Sequence, residues 1–194
     1  MSATADYITQ YSQDVIDACY NTGLFPSVMM AQGILESNSG QSSLAAKYNN
    51  HFGIKANKGS LAYLTGQYVS LPTTEEVNGQ EVGITDNFRT YVTAFDGFVD
   101  RNNFLKSNQR YTTAGVFSAA TPQDQTQALL NAGYATESDY ADQLNNLIDE
   151  YNLESLDAVQ PNALRFTTNT WIFAAVGAIA LSASLYLYFK FKKK

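Results

Sequence analysis

Glu36 is the residue of this chain best placed to move a proton. It closes an apolar run, AQGILES, and the polar stretch SNSGQS follows at once. A carboxyl at the end of a buried helix is poorly solvated, so its neutral form is favoured and its pKa rises. That environment suits a general acid working near neutral pH. Two further carboxylates, Glu75 and Glu76, stand in TTEEVNGQ, on the arm of an expected hairpin. Other chemistries fit less well. Cys19, the single cysteine, falls in an amphipathic stretch and reads as core rather than nucleophile. A Ser-His-Asp triad would have to use His51, the single histidine, and no nucleophile-elbow pattern is present. With these ligands a zinc site is not expected, and no metal or organic cofactor is implied.

Several elements must position Glu36. Tyr7, Ile8, Tyr11, Val15, Ile16 and Cys19 recur at helical spacing, which predicts a helix over 6–20 that Asn21-Thr22-Gly23 ends. Pro26 suits the first turn of a second helix running to Glu36. On that helix Met29, Gln32, Gly33 and Glu36 share one face. Gly33 there admits either a neighbouring segment or substrate. A short third helix is expected over 42–48, then a loop over 49–55. Extended runs at 69–71 and 82–84 flank TTEEVNGQ, and Asn78-Gly79 is a hairpin signal because both residues tolerate positive φ. From Ala94 the pattern is helical again, with Phe95, Phe98, Val99, Asn102 and Leu105 near one stripe. Thr121-Pro122 with Asp124 resembles a capped helix start, and that helix ends near Gly133. Thr136 with Asp139 opens another, whose stripe is Tyr140, Leu144, Leu147, Ile148 and Tyr151. The expected class is α+β and mainly helical, with one small β-hairpin lobe.

The 194 residues suffice for one domain and an appendage. Residues 1–164 hold all 18 Asp+Glu and seven of the 12 Lys+Arg, a net charge of −11, which argues against nucleic-acid binding. Aromatics are plentiful, with 13 Tyr and 11 Phe, enough to line a sugar cleft as well as a core. Residues 154–170 read as a polar linker. Residues 171–189, WIFAAVGAIALSASLYLYF, carry no charge. As a helix they would extend about 29 Å, against a bilayer core of about 30 Å. Trp171, Tyr186 and Tyr188 suit the interfaces, and the basic tail 190–194 favours a single-pass topology with a cytoplasmic C-terminus. The N-terminus lacks the basic start and apolar core of a signal peptide.

Five segments, in order over about residues 24–153, carry a resemblance: AQGILES, KYNNHFGIK, TTEEVNG followed by FRTY, FLKSNQRY, and NAGYATESDYADQL. Together they resemble the β-N-acetylglucosaminidase domain of the family 73 glycoside hydrolases, which cut peptidoglycan. The resemblance implies a lysozyme-like domain over 1–153 with peptidoglycan glycan strands as partner. It makes Glu36 the catalytic acid, Glu75 the second acidic position and Tyr134 an aromatic beside the scissile sugar. Asn50, Phe52 and Gly53 match the loop that shapes the cleft floor, and Arg89 with Tyr91 match the FR-x-Y segment. In place of the family's aromatic two residues past the acid, Asn38 and Ser39 stand here. Two routes stay open: Glu75 as base on a water, or attack by the substrate's own 2-acetamido group. Lysozyme-like muramidases and lytic transglycosylases share the first motif, and a non-catalytic wall-binding module is an alternative of another class. A membrane anchor without a signal peptide or wall-binding repeats points to a bacteriophage lytic or virion enzyme.

Overall fold

The computed structural model describes residues 2–77 and 80–161, with the backbone alone at 75–77, 80 and 81. Helix α1 (Ala3–Cys19) starts where the Ser2 hydroxyl accepts the Ala5 N–H, and it buries Tyr7, Val15, Ile16 and Cys19. Asn21 and Gly23, both at positive φ, turn the chain out of it.

Helix α2 (Pro26–Ser37) is the central element, with Ser27 to Ile34 all buried. α1 lies against it at Gly33: a Cβ there would come within 2.5 Å of the Tyr7 hydroxyl. The close approach left open by the sequence is therefore that of a neighbouring helix. The start of α2 has no side-chain cap of its own. The cap comes from far along the chain. Asp157 accepts the Ser27 N–H at 2.8 Å and the Ser27 hydroxyl at 2.7 Å, while Gln125 accepts the Phe25 N–H at 3.0 Å. At the other end Asn38, Ser39 and Gly40 all have positive φ, which stops the helix directly after Ser37.

Helix α3 (Ser43–Tyr48), capped by Ser42, leads through the loop at 49–55 to α4 (Leu61–Leu64), a turn too short to show periodicity in the sequence. Strands β1 (Tyr68–Val77) and β2 (Gln80–Arg89) pair antiparallel from Tyr68–Arg89 to Val77–Gln80. They are longer than expected because Thr73, Thr74, Val77, Val82, Ile84 and Thr85 favour extended backbone and carry the ladder to the tip. The expected Asn78-Gly79 turn lies outside the described residues. The 49–55 loop is stitched to the base of β2 by Arg89 N–H to Ile54 O at 2.9 Å, and Ala56 N–H to Asn87 O at 2.7 Å follows.

Helix α5 (Ala94–Ser107) opens with a capping box between Thr93 and Asp96. Its buried face holds Phe98, Asn102 and Leu105 as expected, but Arg101 as well, while Phe95 and Val99 are only partly buried. Helix α6 (Gln109–Thr113) follows. Helix α7 (Pro122–Asn131) has Pro122 in its first turn and Thr121 as its cap, and α8 (Tyr140–Glu150) buries Tyr140, Leu144 and Ile148. The packed unit extends past residue 153, to Gln160. Leu153–Leu156 form a 3₁₀ turn with Leu153 buried, and Asp157 caps α2, so the first residues expected in a linker are held by the domain. Among the described residues no helix is long and apolar enough to cross a membrane. The rest of the linker, the span at 171–189 and the tail at 190–194 lie outside the described residues.

Candidate active site

Glu36 sits in the last turn of α2, at the junction of two hollows. The larger, about 820 Å³, lies among Phe52, Gly53, Arg89, Tyr111, Tyr134 and Tyr140. The smaller, about 260 Å³, lies between α3 and the hairpin, against Ser42, Asn50, Leu71, Pro72 and Phe88. Glu36 and Gly53 border both. The two hollows together make a trough, with Glu36 on the border they share.

The Glu36 side chain is open to the trough, yet protein crowds it from behind. That partial burial is the main cause that raises its pKa above the usual carboxylate value. The negative charge of Glu137 adds to the rise. The Tyr140 hydroxyl, donating to Oε1 at 2.9 Å, and the Arg101 charge oppose it. The open side lets water reach the carboxyl and limits the rise. The sequence-based expectation of a carboxyl whose neutral form is favoured holds in direction, although the side chain is exposed rather than enclosed.

Tyr134 lies on the same wall, stacked on Tyr140 with ring centroids 5.7 Å apart. Burial holds both hydroxyls far above the usual tyrosine range, so both stay neutral donors. Phe52 and Gly53 border the large hollow, and Gly53, at φ 61°, has open space where a Cβ would stand. Arg89 borders it too, but its guanidinium is paired with Asp100 at 2.7 Å. Tyr91 borders neither hollow described; its hydroxyl donates to the same Asp100 oxygen at 2.7 Å. Asn50 reaches the smaller hollow, though its amide is spent on backbone: it donates to the Ile54 and Arg89 carbonyls and accepts the Ile54 N–H. Asn50 and the Arg89–Asp100–Tyr91 cluster thus hold the floor loop and the hairpin base together. Glu75 lies on β1, opposite Val82 and one residue past Thr74, which borders the large hollow. Among the described residues no group of His, Cys, Asp and Glu has the arrangement to hold a metal ion.

Three residues beside Glu36 were not legible as site residues: Gln32, Arg101 and Tyr140. Gln32 and Arg101 are fully buried. Gln32 donates to the Tyr140 hydroxyl at 2.7 Å, and Arg101 donates to Gln32. The Arg101 guanidinium also lies 5.9 Å from the Phe52 ring centroid. The available signal was a polar Gln on the buried face of an apolar helix, one turn before the acid.

Residues 12–153 match the family model described as Glucosaminidase, mannosyl-glycoprotein endo-beta-N-acetylglucosaminidase. The Exo-glucosaminidase LytG of Bacillus subtilis is 34% identical over 142 residues, covering 72% of this chain and 48% of that protein. A Lactococcus lactis subsp. cremoris protein described as "Probable N-acetylmuramidase" is 38% identical over 161 residues, covering 80% of this chain and 35% of its own length. The chain thus spans half or less of the length of these relatives. The crystal structure of the catalytic domain of the Listeria monocytogenes autolysin Auto superposes with a TM-score of 0.69 at 32% identity, over 81% of this chain and 89% of that one. On the match over residues 12–153 and the shared fold, the chain belongs to the glucosaminidase family.

Proposed function

We propose that this protein is a peptidoglycan hydrolase that cleaves the β-1,4 bond after N-acetylglucosamine, with Glu36 as the proton donor. The observation that carries the reading is the place of Glu36: a carboxyl of raised pKa on the border of two hollows, the larger of them lined by aromatic rings. Glycoside cleavage requires protonation of a poor leaving group and stabilisation of an oxocarbenium-like centre. Glu36 supplies the proton. Tyr134, a neutral hydroxyl on the wall beside it, hydrogen-bonds the sugar at the reacting centre. Phe52 and Gly53 shape the floor, while Asn50, Arg89 and Tyr91 keep that floor fixed. Glu75 on the hairpin is the candidate base for an inverting route, in which a water stands between two carboxyls roughly 6.5–9.5 Å apart. In the substrate-assisted route the 2-acetamido group takes that role.

A second reading, cleavage after N-acetylmuramic acid, is favoured by the similarity to the probable N-acetylmuramidase of Lactococcus. Mass spectrometry of digested peptidoglycan separates the two. New reducing-end N-acetylglucosamine supports the first reading and reducing-end N-acetylmuramic acid the second, while a 1,6-anhydro product marks a lytic transglycosylase. Binding to sacculi without release of fragments would mark a wall-binding module instead.

The proposal extends to location. The uncharged run at 171–189, followed by four lysines, supports a single-pass anchor with the enzyme facing the wall and the tail inside. The host or virion membrane of a bacteriophage is the setting proposed. Recovery of the full chain in the membrane fraction of purified particles tests it, and a chain found only in the soluble fraction would overturn it.

A further inference from the structure

Behind Glu36, polar side chains from three helices stand in line. Arg101 of α5, fully buried, donates to Oε1 of Gln32 on α2 and to Oδ1 of Asn102 at 3.0 Å. Gln32 Nε2 donates to Oη of Tyr140 on α8 at 2.7 Å, and Tyr140 donates to Oε1 of Glu36 at 2.9 Å. The direction of each bond follows from the buried end. A guanidinium has only donors, so Gln32 must turn its oxygen to Arg101 and its NH₂ to Tyr140. That NH₂ accepts nothing, so the tyrosine oxygen is the acceptor there. The one proton of Tyr140 is left to point at Glu36.

We propose that Arg101 and Gln32 are positioning residues that fix the polarity of this line, so that Tyr140 always donates to Oε1 of Glu36 and the transferable proton of Glu36 is held on Oε2, the oxygen left for the substrate. A neutral carboxyl can carry its proton on either oxygen, and a proton on Oε1 would point back at Tyr140, away from the glycosidic oxygen. The same bond receives the negative charge that appears on Glu36 once its proton has gone, where a hydrogen bond to an ionised acceptor is strongest. The inference rests on Glu36 being the acid. The other charged or titratable groups around Glu36 are Glu137 and Tyr134 ahead of α8, Arg101 on α5, and Tyr111, Arg110, Lys55 and Arg89 along the large hollow.

Gln32→Glu is the direct test. The substituted side chain has nearly the same shape and pairs with Arg101, but it can only accept, so the Tyr140 proton turns to it and Glu36 loses its donor. On soluble uncrosslinked glycan strands the full chain carrying Gln32→Glu should lose kcat by about tenfold or more, at little change in KM. The alkaline limb of its kcat/KM profile should move up by about one pH unit, because the anionic form of Glu36 is no longer stabilised. Tyr140→Phe removes the donor without touching Arg101 and should move the limb the same way. An alkaline limb unmoved in both variants, whatever happens to the rate, would overturn the inference. Glu36→Gln, run beside them, tests the parent reading: if it is inactive while the limb stays unmoved, only the polarity proposal falls, and if it is active the assignment of the acid falls.

Discussion

At the scale of the residue, the balance at Glu36 sets how readily the proposed acid gives up its proton. Partial burial and the nearby Glu137 favour its neutral form, while Tyr140 and Arg101 pull the other way and keep it able to ionise. This has a consequence for stability. A carboxyl whose folded pKa is raised binds its proton more tightly in the folded chain than in the unfolded one. Its contribution is therefore fully present below the ordinary value of 4.5 and is lost as pH rises through the raised folded value. Glu36→Gln, which cannot ionise, escapes that loss. Its Tm should match the parent near pH 4 and exceed it at pH 7, while lysis of peptidoglycan falls by about 100-fold or more, the scale of a missing general acid. Thermal melts at the two pH values and a turbidity assay check both halves.

Among the elements, α2 packs against α1, α7 and α8 and carries Glu36, and it also shows what the sequence made legible. Its start at Pro26, its end near Glu36 and the shared face of Met29, Gln32, Gly33 and Glu36 follow from local pattern, as do the α7 cap at Thr121 and the stripe of α8. What packs on that face does not, because contacts between distant segments leave no periodic mark. Gly33 was ambiguous between substrate and neighbour until Tyr7 was placed over it. Arg101 has no such mark in the sequence because a charged residue is ordinarily solvated, yet here Gln32, Asn102 and the Phe52 ring hold it inside. Gly33→Ala should destabilise the domain by about 1–3 kcal/mol, the usual cost of overpacking. Tyr7→Phe, which removes the hydroxyl 2.5 Å from the added methyl, should restore part of that loss in the double variant. Urea melts of the four chains form the cycle, and simple additivity would show that the contact is not the cause.

For the molecule as a whole, the first and last parts of the domain are tied through α2. Asp157, beyond the family match that ends at residue 153, caps a helix that begins at Pro26. Asp157→Ala should lower stability by about 1 kcal/mol, as the loss of a helix cap does, with the catalytic rate unchanged; calorimetry and the turbidity assay read the two quantities. The central claim is that this trough cuts the glycan after N-acetylglucosamine with a proton from Glu36. Mass spectrometry of fragments released from purified peptidoglycan by the full chain in detergent, beside its Glu36→Gln variant, tests it most directly. New reducing-end N-acetylglucosamine from the parent and none from the variant is the predicted result; the same fragments from the variant, or reducing-end N-acetylmuramic acid from the parent, would contradict it.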